Sequence, residues 1–417
     1  MLGNYKPKSE FSRNVLTLMT GTTIAQAIPI AISPILTRLY SPEDFGVFAL
    51  YMSVASILSV VATGRYELAI MLPKKDEDAM HIMILSIGIT FLVSLITLLV
   101  ISMFNVQITL YLGNPNISQW LYFIPLTIIL TGVYQSFNYW VNREKQYKQL
   151  ATSRVVQSGT TASTNLYMGF GGFGSSGLIT SGIVGQGFAT VILGRMVWKS
   201  DKNKLKQIRK TTILSVAKRY IQFPKFDVLA SLLNVFSYQV IPILFNTLFN
   251  ATIAGYYYLT QRILGLPITF ISSAISDVFR EEASRSFKKY GNAKHIYKET
   301  FKKLFFLSLI PSIILYFFAV DIFVMVFGQE WYRAGEYVQI LTPMFFIKFI
   351  SSPLSFMLYI GEKQKINIYM QLLFVIAIFC SFLINDNAYD VLKTISILFS
   401  FIYIYYLYVS AQIAKVL

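Results

Sequence analysis

Six ionisable side chains stand in or beside apolar sequence: the cations Arg38, Arg65, Arg262 and Lys348, and the acids Glu67 and Asp227. A charge at bilayer depth costs about 3 kcal/mol or more, so it faces a cavity or a partner and marks a functional site by default. Lys348 lies about 13 residues into an apolar run of about 26, near the midplane. Arg262 lies about eight residues into its run, roughly 12 Å at 1.5 Å per residue. Arg38 closes the first run. Arg65 follows Phe45 by 20 residues, roughly 30 Å. For Arg38 and Arg65, snorkelling to the headgroups is an equally good reading. Glu67 is two residues from Arg65, about 200° away on a continuous helix, so the two should not pair. Asp227 opens a run, where it could bind a cation or a proton or cap a helix. Asp277 and Asp321 complete the acids. Cations thus dominate, and a cationic cleft suits an anionic headgroup such as a diphosphate, gripped by Arg and Lys. An exporter of lipophilic cations would need the opposite charge.

Other chemistries find no residues. One cysteine, Cys380, excludes an internal disulfide and a cysteine metal cluster. His81 and His295 are far apart in sequence and read as polar side chains at helix ends. No metal site and no cofactor site is expected. Gly172-Phe173-Gly174-Ser175-Ser176-Gly177 matches G-x-G-x-x-G, but an apolar run precedes it where a dinucleotide fold needs a strand. It reads as a tight turn, and Gly177, Ser181 and Gly185 then give the next helix a small-residue face for close packing. The net charge of +16 has no recognition motif behind it, so nucleic acid is not an expected partner.

The elements that must hold these charges are membrane helices. The chain is 55% hydrophobic and 13% charged, against about 25% charged in soluble proteins. Runs of about 20 apolar residues, each enough to cross a membrane, recur at 15–39, 45–72, 80–104, 119–141, 153–172, 177–198, 224–249, 254–280, 302–327, 335–360, 365–385 and 390–414. The fifth is rich in Ser, Thr and Gly. The first continues to Leu36, too long for a cleaved signal region. With this division, 30 of the 36 Lys and Arg residues, among them Lys6 and Lys8, fall on the side of the termini, which the positive-inside rule makes cytoplasmic. The fold class expected is all-α: a polytopic membrane protein of twelve helices in two six-helix bundles, residues 1–198 and 224–417. A basic linker, 199–223, joins them. Its apolar residues Leu205, Ile208, Ile213, Leu214, Val216 and Ala217 allow an amphipathic helix on an anionic leaflet. A shift of 209 residues places Leu39 on Leu248, Gly46 on Gly255 and Leu50 on Leu259. That pattern suggests a parallel repeat about a pseudo-twofold axis, with a central cleft between the halves.

The block ILTRLYSPEDFGVFALYMSVASILSVVATGRYELAIMLPKKDEDA, residues 35–79, resembles the Wzx-type polysaccharide and O-antigen repeat-unit flippases of the multidrug/oligosaccharidyl-lipid/polysaccharide exporter superfamily. Its Leu36–Gly46 turn and Arg65-Tyr66-Glu67 carry the resemblance, and Gly177-Leu178-Ile179 also fits. The resemblance implies a flippase, not an enzyme. It would move undecaprenyl-diphosphate-linked oligosaccharide across a bacterial inner membrane by alternating access of two bundles. Arg38, Arg65, Arg262 and Lys348 are the expected substrate contacts, although only the first two lie in the matching block. Energy would come from a proton or sodium gradient, with Asp227 and Glu67 as the ion-coupling candidates. Membrane lipids and other polysaccharide assembly proteins are the expected partners. A lipid II flippase and a multidrug antiporter of the same superfamily are the alternatives. A membrane polymerase or ligase is disfavoured, because the longest outward loop, 105–118, carries no ionisable residue other than Tyr111.

Overall fold

The apolar runs fold as long helices, and the described residues contain no strand. The computed structural model describes residues 10–205 and 208–416. Lys6 and Lys8 lie outside them. The chain divides into two compact units, with the boundary after Thr247. The first holds α1 (Glu10–Leu39), α2 (Pro42–Val61), α3 (Tyr66–Ala69), α4 (Asp76–Leu112), α5 (Ser118–Leu121), α6 (Ile124–Arg143), α7 (Tyr147–Phe170), α8 (Ser175–Leu205), α9 (Lys210–Arg219) and nearly all of α10 (Val228–Leu248). The second holds α11 (Ala251–Pro267), α12 (Ser273–Tyr290), α13 (Lys294–Phe327), α14 (Tyr332–Leu354), α15 (Met357–Ile360), α16 (Gln364–Ile384) and α17 (Ala388–Ile413).

Every apolar run expected to span has a long helix at its position. Among the described residues, ten helices are long and apolar enough to cross a membrane. An eleventh counts if Pro115–Leu121 and α6, bent by 50° from each other, form one span. The chain is thus a multi-pass membrane protein. Helix α7 accounts for the difference from twelve. It falls short on apolarity because a row of Ser, Thr, Asn and Gln runs along it.

Two of the interrupted spans bear on the charges. The run 45–72 does not continue as one helix, because α2 stops at Val61 and Gly64 and Arg65 both take left-handed backbone at φ +59° and +61°. Arg65, a side-chain-bearing residue held where glycine is favoured, is the N-cap of the four-residue α3. In the second unit, Pro267 ends α11 and a wide π-turn, Ile268–Ser272, leads into α12. Proline withholds the amide that would continue the α ladder.

The α1–α2 turn is tightly specified. Ser41 and Asp44 form a reciprocal capping box on α2, with Pro42 in its first turn. Asp44 also accepts the backbone N–H of Ser175 at 2.7 Å, so the same carboxylate caps the start of α8. Tyr40, 2% exposed, donates to the carbonyl of Asn165 on α7 at 2.7 Å. Burial and the Asp44 carboxylate push its phenol up to about 12, so it remains a donor. A Cβ at Gly177 would sit 2.5 Å from the Tyr40 hydroxyl. The G-x-G-x-x-G segment is therefore a turn, with Gly174 at φ +55°, clasped by the SPED turn. A side-chain-capped helix junction also stands 209 residues on. Helix α10 ends at Leu248 and α11 starts at Ala251, where Asn250 takes the capping role of Ser41 by accepting the Ile253 N–H at 2.9 Å.

The linker contributes one described helix, α9. Its Val216 is 4% exposed and packs with Tyr66, Met80 and Met83, while Tyr66 donates to the Ala217 carbonyl at 2.9 Å. The apolar face expected on the leaflet is thus partly spent on protein, leaving Leu214 exposed. The side chain of Leu205 lies outside the described residues.

Candidate functional site

In the first unit the charges converge at the turn between α2 and α3. Arg65 Nε donates to Asp227 Oδ2 at 2.7 Å, and its Nη1 lies 3.3 Å from Glu67 Oε1. The expectation that Arg65 and Glu67 cannot pair is overturned. It assumed one continuous helix, whereas the left-handed backbone at Arg65 turns its side chain back toward Glu67. Glu67 has a side chain only 1% exposed and also accepts the Thr63 hydroxyl. Asp227 closes a second wide turn, Phe223–Asp227, just before α10. It is paired rather than capping. Thr63 went unnoticed in the sequence, although Thr63-Gly64 inside an apolar run is a readable turn signal.

Below this cluster the basic end is knitted to the helices. Arg143 binds Asp76 at 3.0 Å and the Ile70 carbonyl at 3.0 Å. His81 is buried on α4 (5% exposed), where its Nδ1 meets the Glu77 carbonyl at 2.6 Å and its Nε2 accepts the Arg209 N–H at 3.0 Å. His81 is therefore an anchor for the linker as well as a polar group near a helix end.

Arg38 is exposed in the last turn of α1. The other two cations lie in the second unit on adjacent helices. Thr260 of α11 donates to Ala334 of α14, and Ser272 donates to Phe349, so the two helices run side by side in one direction. This register sets Arg262 level with about residue 338, and Lys348 about 15 Å further along. Lys348 Nζ lies 5.0 Å from the centre of the Phe345 ring, a cation–π contact. Arg65 and Asp227 are thus brought together with Glu67, Arg262 and Lys348 share a helix pair at different depths, and Arg38 stands apart. Among the described residues no group of three or more His, Cys, Asp or Glu could hold a metal ion.

The sequence profile of a family described as polysaccharide biosynthesis protein matches residues 35–336, most of the chain and every candidate site residue named above except Lys348. The chain belongs to the polysaccharide biosynthesis protein family. No curated protein sequence matches it. Among solved structures, this polysaccharide biosynthesis protein is similar to an inward-facing multidrug resistance transporter of the MATE family and MOP superfamily. The TM-score is 0.72 at 12% identity, covering 95% of each chain. It is also similar to the lipid II flippase MurJ in an inward closed conformation, with a TM-score of 0.71 at 13% identity over 96% of this chain and 90% of that one. At these identities the likeness establishes the fold. The matched block begins at Ile35, next to the turn whose Asp44 binds α8, and includes the Arg65–Glu67–Asp227 cluster.

Proposed function

We propose that this polysaccharide biosynthesis protein is a flippase for undecaprenyl-diphosphate-linked oligosaccharide repeat units, such as those of O-antigen or capsule. It would work by alternating access in a bacterial inner membrane, with both termini cytoplasmic. The family match over residues 35–336 carries the reading. The cations of the α11–α14 pair support it, since Arg and Lys suit an anionic headgroup such as a diphosphate. Arg262 and Lys348, 15 Å apart by the helix register, would receive the diphosphate in succession as it crosses. Arg38 would meet it at the outer rim. Arg65, already shared between two carboxylates, would contact acidic substrate groups only when that cluster opens. Glu67 and Asp227 are the sites for coupling to a proton or sodium gradient, because ionisation of either changes what holds Arg65. Membrane lipids and the enzymes that assemble the glycan are the partners this role requires.

The test is surface-glycan analysis of a strain lacking the chain. Loss of surface glycan, with lipid-linked repeat units accumulating on the cytoplasmic leaflet, is expected, and the wild-type chain should restore export. Lys348→Ala and Arg262→Ala together should fail to restore it at normal membrane abundance. Normal export by that double variant would remove the cations from the mechanism. Unchanged glycan with altered drug susceptibility would replace the flippase by a multidrug antiporter, and arrested peptidoglycan synthesis would point to lipid II.

A further inference from the structure

Helix α7 is the least apolar long helix of the first unit, and its polar residues are ordered. Arg154, Gln157, Thr161 and Asn165 follow one another at intervals of three, four and four, which confines them to an arc of about 80° and a length of about 17 Å. That is over half of a hydrocarbon core of about 30 Å. Arg154 donates to the Thr22 hydroxyl of α1 at 2.7 Å, and Gln157 donates to Gln186 of α8 at 2.5 Å. Thr161 lies against α8 where Gly185 has no side chain to exclude it. A row serving only as glue between helices would use up its own hydrogen bonds. This one does not: Asn165 Oδ1, on a residue 8% exposed, and Gln186 Nε2 are buried without a hydrogen-bond partner. Each such group costs about 1–3 kcal/mol while it stays unmet. One is an acceptor and the other a donor, at the two levels of the stripe defined by Asn165 and Gln157.

We propose that this stripe is a glycan-binding track: the amides and hydroxyls of α7 and α8 hold the sugars of the lipid-linked substrate during transport. The proposal rests on the flippase reading. A sugar hydroxyl both donates and accepts, so it satisfies Asn165 Oδ1 and Gln186 Nε2 with one kind of group, which an acyl chain or a lipophilic drug cannot do. Fixed amides presenting both donor and acceptor also suit sugars of varied stereochemistry better than a charged surface does.

The test uses the full chain in lipid nanodiscs and two probes: undecaprenyl diphosphate alone, and the lipid-linked oligosaccharide extracted from a strain lacking the chain. Wild type should bind the sugar-bearing probe roughly tenfold more tightly, the equivalent of one or two net hydrogen bonds. Gln157→Leu with Gln186→Leu removes both partners of the pair and should abolish this advantage while leaving affinity for the bare diphosphate unchanged. Thr161→Val, nearly isosteric, should reduce the advantage in the same direction in a chain of wild-type thermal stability. Equal binding of the two probes by wild type, or an unchanged advantage in the variants, would overturn the track. Failure of wild type to bind either probe would instead overturn the flippase reading itself.

Discussion

Asp44→Ala isolates the most heavily used side chain of the matched block. Its Oδ2 accepts the Ser41 backbone N–H at 3.0 Å and the Ser41 hydroxyl at 2.9 Å, and its Oδ1 accepts the Ser175 N–H at 2.7 Å. Loss of the capping box costs about 1 kcal/mol. Loss of a hydrogen bond to an ionised acceptor costs about 2 kcal/mol. The variant should therefore lose about 3 kcal/mol, a shift of roughly 100-fold in the folded-to-unfolded ratio. Ser41→Ala takes away the hydroxyl alone and should cost about 1 kcal/mol. The difference between the two variants measures the bridge from the α1–α2 turn to α8. Asp44→Asn keeps one acceptor oxygen and should fall between them. Unfolding free energies in mixed micelles, supported by thermal melts, give the comparison. If Asp44→Ala costs no more than Ser41→Ala, water meets the Ser175 amide equally well and the bridge contributes nothing.

Other sites give sharper signs than sizes. A Cβ at Gly185 would lie 1.9 Å from Thr161 Oγ1 and 2.8 Å from the Gln157 carbonyl, so Gly185→Ala should cost about 1–3 kcal/mol by overpacking. Adding Thr161→Ala should rescue it only in part, because the backbone contact remains, and a thermal melt of the pair reads this directly. Arg65→Ala strands the buried Glu67 and should cost about 3–5 kcal/mol, most of it recovered by Glu67→Gln in the same chain. No recovery would mean that the Arg65–Glu67 contact is incidental.

The long helices were legible because each apolar run is long enough to span and ends at a polar or glycine-bearing turn. The SPED capping box was legible as a turn, and so was the glycine segment before α8. That the two meet was not, because nothing local to Asp44 names Ser175, 131 residues away. The Arg65–Glu67 pair was missed for a different reason. Spacing predicts an angle only on an unbroken helix, and here Gly64 and Arg65 break it. In the linker, the apolar face of α9 was readable, but not what covers it: Val216 packs on protein where a leaflet was expected. The polar residues of α7 were visible as composition. Their ordering into one arc becomes informative only beside Thr22 and Gln186, which belong to other helices.

The wide turn at Ile268–Ser272 also alters how the segment α11–α12 must be read. Arg262 and Arg280 are 18 residues apart, which is five full turns of an unbroken α-helix and would bring both guanidinium groups to the same azimuth. One widened turn takes up about one extra residue, so everything beyond Ser272 is rotated by roughly a quarter of a circle. A helical wheel drawn through the whole segment would merge Arg262 with the basic cluster at its far end. With the phase slip included, Arg262 shares no azimuth with Arg280; both halves of the segment pack on α14, and beyond the wide turn it also meets α13.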